Sequence, residues 1–505
     1  MDEMIEDCPL LLHNQLYLRK VKAYQFMYAE SRSESRKRLL DGDISICVVG
    51  LGRIGLPTAT LFAEAGARVL GADVNEELVA RLNSQECQLT DEDGLPEMFS
   101  KVVAEGKLWA TTHVSEAVSS ADVIIICVPT PVDSAKIPNY SYVEAASHDI
   151  GKGLKSRSLV VVESTVGPGI VEDFIMPILE ADSGLRAGLE FGLVSCPERA
   201  DPGKIIQHMK EIPKIIGGID SQSTEAAASL YENALGVKVV KVSDPKTANA
   251  IKLTENLFRD VNIALANEFA VLYEKLGIDM VEVIKGCSTK YNFMPHYPGP
   301  GVGGPCLPSN PYYLIVESLK VGSIPHLIRL AREINDAMPD HVVDLISGAL
   351  NDTGKTLKGS TISLLGLTYK PEVRDIQQSP MEKVLVKLQR LGATVRSYDP
   401  MYKGEVVFGA KVEETLQDAV KESDCVVIGT LHKEFETLNL DAFVKALNMP
   451  AAIVDTRNSL DPGDVINHGF AYRGVGRPVS KWISSEADAK VGLVIDLDKR
   501  SKLRS

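Results

Sequence analysis

The chain has 505 residues, 45% of them hydrophobic and 24% charged, the make-up of a soluble globular protein of two to four domains. A formal net charge of −14 and a pI near 5.3 argue against nucleic acid or an anionic membrane as the main partner, while leaving room for a local basic pocket that takes a phosphorylated ligand. The eight cysteines show no CxxC pair and the nine histidines no ligand spacing; no apolar run reaches bilayer length, and the N-terminus lacks the order of a secretory signal. Reduced thiols, a cytoplasmic setting and no metal are therefore expected.

Residues 1–42 read as a polar extension of one or two helices, open to partner docking or to plain disorder. The stretch ISICVVGLGRIGLPTATLFAEAGARVLGADVN then runs strand, glycine turn, helix and strand, the setting that a GxGxxG needs. Gly50 allows the tight turn, Gly52 lets backbone approach a pyrophosphate, and Gly55 lets the helix pack closely on the strand with its N-terminus toward the phosphates. Asp73 closes the second strand, placed for the ribose hydroxyls of NAD and repelling the extra phosphate of NADP. Strand, helix and terminal Asp together favour dinucleotide binding over a structural glycine turn. Two further strands, ADVIIICVPTP and LVVVESTVGPG, end in Thr130 and Pro131 and in Ser164 and Thr165, where a doubly wound sheet places its cofactor loops.

Next, KTANAIKLTENLFRDVNIALANEFAVLYEKLGI carries apolar residues at helical spacing with no proline after Pro245, which predicts one long helix, a spine between domains and an oligomer surface. Lys252 and Asn256 lie four apart on one face of it, so they either meet one ligand or pair at the surface. GPGVGGPCLPSNPYYL follows, too rich in glycine and proline for helix or strand; it is a tight surface loop with an incidental thiol, or a rigid mount for Cys306. Late in the chain STISLLGLTYK, GATVRSYDP, ESDCVVIGT and AAIVDTRN repeat the early pattern with Asp399 in the place of Asp73 but without the full glycine fingerprint. A second α/β sheet that binds a nucleotide other than the redox cofactor is expected. The predicted fold is α/β, two Rossmann-like doubly wound domains joined by a long central helix.

GLGRIGLP, VPTP, STVGPG, the Lys252 and Asn256 helix, the glycine-framed Cys306 and GLTYKPEVRD together resemble the UDP-glucose/GDP-mannose dehydrogenase family, in its UDP-N-acetylhexosamine branch, over residues 43–480. The resemblance implies an NAD-binding domain at 43–240, a helical dimerisation domain at 241–350, a UDP-sugar-binding domain at 351–480 and a tail at 481–505. It implies NAD-dependent oxidation of the C6 alcohol of a UDP-sugar to a carboxylate, foremost UDP-N-acetylmannosamine, with UDP-glucose or GDP-mannose as other substrates; Asn310 and Gln377, which depart from the family, suggest a low-turnover sugar-nucleotide-binding protein as the reading from another class. It implies a homodimer or larger assembly on the 247–278 helix.

The site residues implied by the resemblance follow. Cys306 is the nucleophile that forms a thiohemiacetal and then a thioester, its glycines, Gly303 among them, allowing backbone to approach the sugar. Lys252 and Asn256 flank the oxyanion at C6, Glu198 activates the water that cleaves the thioester, and Thr165 orients that water. Ile54 joins the cofactor contacts, and Arg199 and Lys370 the substrate contacts. Two departures stand out. Asn310 replaces the family's aspartate four residues after the cysteine, so either Lys252 or a water takes its proton-transfer load, or activity is reduced. Gln377 replaces an arginine in the motif that here runs Asp375-Ile-Gln-Gln-Ser379-Pro, and Arg374 is the nearby residue that could compensate.

Overall fold

The structure is a computed structural model that describes residues 37–39 and 41–478. Nearly all of the 1–42 extension and all of the 481–505 tail lie outside the described residues. The described residues form two compact units, one within 1–256 and 309–324 and the other within 257–308 and 325–505.

In the first unit, β1 (Ser45–Val49), β2 (Arg68–Ala72), β3 (Leu108–Thr111), β4 (Val123–Ile126), β5 (Leu159–Val162), β6 (Gly192–Ser195), β7 (Lys214–Gly218) and β8 (Val239–Lys241) form one sheet in the order β3-β2-β1-β4-β5-β6-β7-β8. The first six strands are parallel, β7 runs antiparallel to β6, and β8 parallel to β7. The strands read as unbroken apolar runs because both faces are covered: Ile46, Val48, Val123 and Ile125 enter one buried cluster, and Cys47, Val49, Ile124 and Ile126 the other. The order reverses between β1 and β4, so the crevice at the carboxyl ends of these two strands is the place for a ligand.

The second unit repeats the plan with β9 (Thr361–Leu365), β10 (Thr394–Tyr398), a hairpin of β11 (Val406–Val407) and β12 (Ala410–Lys411), then β13 (Cys425–Ile428), β14 (Ala452–Asp455) and β15 (Ala471–Gly474). Its main sheet is parallel in the order β10-β9-β13-β14-β15, with a switch between β9 and β13. The expected pair of doubly wound sheets is present.

The long helix spans Pro245–Leu276. Asp244 precedes it and accepts from the Thr247 N–H at 2.7 Å, a bond that holds its carboxyl below the usual range. It ends two residues short of the expected bound because Gly277, at φ +72°, takes a left-handed turn that lets the Ile278 N–H return to the Tyr273 carbonyl at 2.9 Å. Among the described residues no helix is long and apolar enough to cross a membrane.

Candidate functional site

At the end of β1 the chain turns through Gly50 at φ +91°, where a Cβ would come within 2.8 Å of the Cys127 carbonyl oxygen. A Cβ at Gly55 would overlap the Gly50 carbonyl oxygen, so the helix Gly55–Glu64 starts flush against the turn, with Ile54 as its N-cap residue. Gly52 faces open space: nothing lies within 4 Å of where its Cβ would be. Asp73 is half-buried; its Oδ2 accepts from the Leu51 N–H at 2.8 Å and its Oδ1 from the Asn75 N–H at 3.0 Å, which leaves lone pairs on both oxygens for ribose hydroxyls. A tight turn, an open backbone approach at a helix N-terminus and an acid beyond the next strand fit NAD. The other cofactor loops are tied together: the Thr130 hydroxyl donates to the Thr165 carbonyl at 2.8 Å, and the Tyr313 hydroxyl donates to the Thr130 carbonyl. Pro131 is exposed beside them.

The helix Asn310–Lys320 belongs to this unit although it follows the cysteine run directly. Its first residue, Asn310, accepts through Oδ1 from Asn256 Nδ2 at 2.5 Å. Lys252 and Asn256, one turn apart, are 7% and 6% exposed. Among the described residues nothing forms an ion pair or hydrogen bond with the Lys252 ammonium.

Glu198, beyond β6, sits in a buried polar cluster that the sequence did not disclose. One of its oxygens accepts from the Arg199 and Ala200 N–H groups at 2.6 and 2.7 Å, and the other from the Lys214 ammonium at the start of β7. Glu163, at the end of β5, lies 3.8 Å from the same ammonium and accepts from the Tyr231 hydroxyl at 2.6 Å, the Thr58 hydroxyl at 3.0 Å and the Cys127 thiol at 3.4 Å. Burial pushes the Glu163 carboxyl up, and its neighbour Glu198 adds to that. For Glu198 burial acts in the same direction, but Lys214 and the two N–H groups outweigh it and hold the carboxyl below its usual range. Burial would lower Lys214, yet the two carboxylates carry it above its ordinary value. A carboxylate held this way is a fixed negative charge more than a ready base. Arg199 turns away from that cluster: its guanidinium grips Glu255, with Nε 3.0 Å from Oε2, and donates to the Pro213 carbonyl at 2.6 Å. No motif links Glu163, Lys214 and Tyr231 in the sequence; KIIGG and the end of VVVE read as ordinary strand ends.

In the second unit Cys306 is exposed within a run, 299–309, that is neither helix nor strand. The glycines of the run allow a close approach within this unit. A Cβ at Gly303 would lie 2.7 Å from Tyr369 Cβ and 2.9 Å from the Gln378 carbonyl oxygen, and one at Gly304, φ +91°, 2.7 Å from Tyr369 Cε2. The Gly304 N–H donates to the Gln377 carbonyl at 2.9 Å, so the run packs on the loop after β9 that bears the half-buried Lys370. Arg374 is engaged elsewhere: it donates to both Glu405 oxygens at 2.9 Å and stacks over Tyr402. Asp399 repeats the Asp73 bond, Oδ2 accepting from the Leu367 N–H at 2.6 Å, but it is fully buried against His432 at 3.2 Å. That burial removes the ribose-facing acid from the second copy. Arg457, after β14, was not singled out; its Nε donates to the Gly429 carbonyl at 2.8 Å and its Nη1 lies 3.1 Å from where a Gly299 Cβ would be. A basic residue at the carboxyl end of a strand, in DTRN, was the available signal.

Three family models match in chain order: the UDP-glucose/GDP-mannose dehydrogenase family NAD binding domain over residues 44–235, its central domain over 246–337 and its UDP binding domain over 363–462. The chain is 36% identical over 432 residues to the UDP-N-acetyl-D-mannosamine dehydrogenase of Pyrococcus horikoshii, covering 86% of this chain and 99% of that one. It is 32% identical over 422 residues to the UDP-N-acetyl-D-glucosamine 6-dehydrogenase of Pseudomonas aeruginosa, covering 83% and 98%. The solved UDP-D-ManNAc dehydrogenase structure from P. horikoshii superposes with a TM-score of 0.80 at 35% identity, covering 86% of this chain and all 100% of that one. With the glycine cradle, the switch-point crevice and matches across all three domains, the chain belongs to the UDP-glucose/GDP-mannose dehydrogenase family and is an NAD-dependent oxidoreductase.

Proposed function

We propose that this enzyme oxidises the C6 alcohol of UDP-N-acetylmannosamine to the uronate with two NAD in succession. Lys252 carries the reading: a buried ammonium that meets no acid among the described residues, one helical turn from the Asn256 amide, suits an oxygen that becomes negative during reaction. The names of the most similar relatives support the N-acetylmannosamine epimer.

NAD, held by Gly50, Gly52, Gly55 and Asp73, supplies the electron acceptor when bound. Lys252 and Asn256 stabilise the C6 oxygen as the alcohol, giving up a hydride from carbon and its hydroxyl proton to water, becomes the aldehyde. The Cys306 thiol then adds to that aldehyde, its proton passing to the oxygen, and the thiohemiacetal gives up a second hydride from carbon and its hydroxyl proton to water to become a thioester. Water, oriented by Thr165 and polarised by the fixed charge of Glu198, cleaves the thioester, returning the thiol and releasing the carboxylate. Lys370 contacts the diphosphate. The protein acts in the cytoplasm as a homodimer or larger homo-oligomer: Phe258, Leu265, Phe269, Leu272 and Leu276 leave an exposed apolar stripe on the long helix.

The test is a panel of UDP-N-acetylmannosamine, UDP-N-acetylglucosamine, UDP-glucose and GDP-mannose read by NADH absorbance. Two NADH per UDP-N-acetylmannosamine, at the highest kcat/KM of the four, is expected; one NADH per sugar overturns the covalent route. A second reading, a low-turnover sugar-nucleotide-binding protein, is favoured by the Asn256–Asn310 bond, an amide where the family resemblance places a carboxylate. Calorimetric binding with no NADH from any of the four substrates would support it.

A further inference from the structure

Within the second unit a chain of buried polar groups runs to the start of the cysteine run. Arg332, on the helix His326–Asp352, donates through Nη1 to Asp260 Oδ1 and through Nη2 to Asp336 Oδ1, both at 2.6 Å. Asn335 Nδ2 donates to Asp260 Oδ1 at 2.9 Å and to the Asp260 carbonyl at 3.0 Å. Asn267 Nδ2 donates to Asn335 Oδ1 at 2.9 Å, and Asn267 Oδ1 accepts from the Gly299 N–H at 2.9 Å. Asp260, Asn267, Arg332 and Asn335 are each no more than 2% exposed. The run also presses on the backbone of the same helix: a Cβ at Gly301 would lie 3.0 Å from the Asn335 carbonyl oxygen and 3.5 Å from Pro339 Cδ. Pro339, four residues on, has no N–H to take that carbonyl, so the helix is open where the run passes.

A pair of buried charges is a poor source of stability, because desolvation offsets the attraction and apolar groups of similar size often serve as well. The Asp260 carboxyl shows the strain: burial raises it despite Arg332. Such a pair is better suited to fixing geometry, since its directed bonds form only when the two helices and the run hold one arrangement. Asp260 and Asn267 both stand on the long helix, so its part within this unit anchors the start of the run that bears Cys306.

We propose that Asp260, Arg332, Asn335 and Asn267 are positioning residues for Cys306, a buried chain that holds the Gly299–Cys306 backbone still so that the thiol captures the aldehyde before it escapes. This rests on the covalent route proposed above.

The variants are Asn267→Ala and the double replacement Asp260→Leu/Arg332→Met, which keeps the site filled with apolar groups should loss of one charge alone unfold the protein. Each full-length enzyme is measured in two ways. Amide hydrogen exchange of the 293–306 segment, without substrate, is expected to quicken by about tenfold or more while the β1–β2 segment is unchanged. With the best substrate of the panel, NADH per sugar consumed is expected to fall from two toward one, with free aldehyde trapped by a hydrazine, and KM nearly unchanged. Merely structural damage would lower the amount of active enzyme and leave the ratio at two. Unchanged exchange, or faster exchange with the ratio still at two, overturns the proposal. If the wild type makes no NADH from any of the four sugars, the functional reading fails instead, and the exchange result alone decides whether the chain holds the run.

Discussion

Cys306 and Asn310 stand four residues apart, and each makes a prediction that the other does not. A serine hydroxyl is a far poorer nucleophile toward an aldehyde than a thiol and its ester is harder to reach, so Cys306→Ser should stop after the first oxidation. Rapid-quench kinetics should show about one NADH per active site and then a stall of steady turnover by at least ~100-fold, with aldehyde detected by mass spectrometry. Full steady turnover in this variant would remove the covalent stage. Asn310 accepts from Asn256 at 2.5 Å, a bond that a carboxylate can also accept, so Asn310→Asp adds a proton acceptor without disturbing its neighbour. Turnover is expected to rise by about tenfold or more, with a new acidic limb in the pH–rate profile governed by a carboxylate. An unchanged rate and profile would show that no proton passes through this position.

The strand ends of the first sheet bring Glu163, Lys214 and Glu198 together, so predictions about them concern β5, β6 and β7 as a set. Lys214→Met leaves two buried carboxylates without a counter-charge, and a broken buried pair costs about 3–5 kcal/mol, to be read from urea unfolding. Lys214→Met combined with Glu198→Gln should recover much of that loss. Glu163 has its carboxyl raised by burial and by Glu198, so in the wild type it weakens the fold as pH climbs from the ordinary carboxylate value of about 4 through the raised one. Glu163→Gln removes that cost while retaining an acceptor for Tyr231. Its stability relative to wild type should therefore grow with pH across that window and vanish below it. Glu198, held low by Lys214, works in the opposite sense: its contribution is complete above the ordinary carboxylate value and disappears as pH falls through the depressed one. A gain from Glu163→Gln that is flat with pH would mean that the carboxyl is not perturbed.

For the molecule as a whole, assembly is the property most exposed to test. The stripe of Phe258, Leu265, Phe269, Leu272 and Leu276 repeats at three-, four- and seven-residue steps along the long helix, the spacing of a helix seam. Light scattering at micromolar concentration should give a dimer mass or more, and Leu265→Glu with Leu272→Glu should shift it toward the monomer. A monomer mass for the wild type contradicts the assembly.

Much of this protein is written in local pattern. The strand-glycine-helix-strand order at Gly50 to Asp73, the period of the long helix and the glycine-proline run at Cys306 are each contained within a few dozen residues and are legible from local spacing and composition. Tertiary structure decided the rest. Lys214 meets Glu198 and Glu163 only because β5, β6 and β7 are neighbours in the sheet, and Gly303 needs to be glycine because Tyr369, far along the chain, fills the space of its side chain. It decided too that Arg199 grips Glu255 and that Arg374 grips Glu405, while Lys252 is left without an acid among the described residues. The reason is physical: a charge takes whichever partner packing brings within about 4 Å, and sequence spacing carries no record of distances between strands and helices that are far apart along the chain.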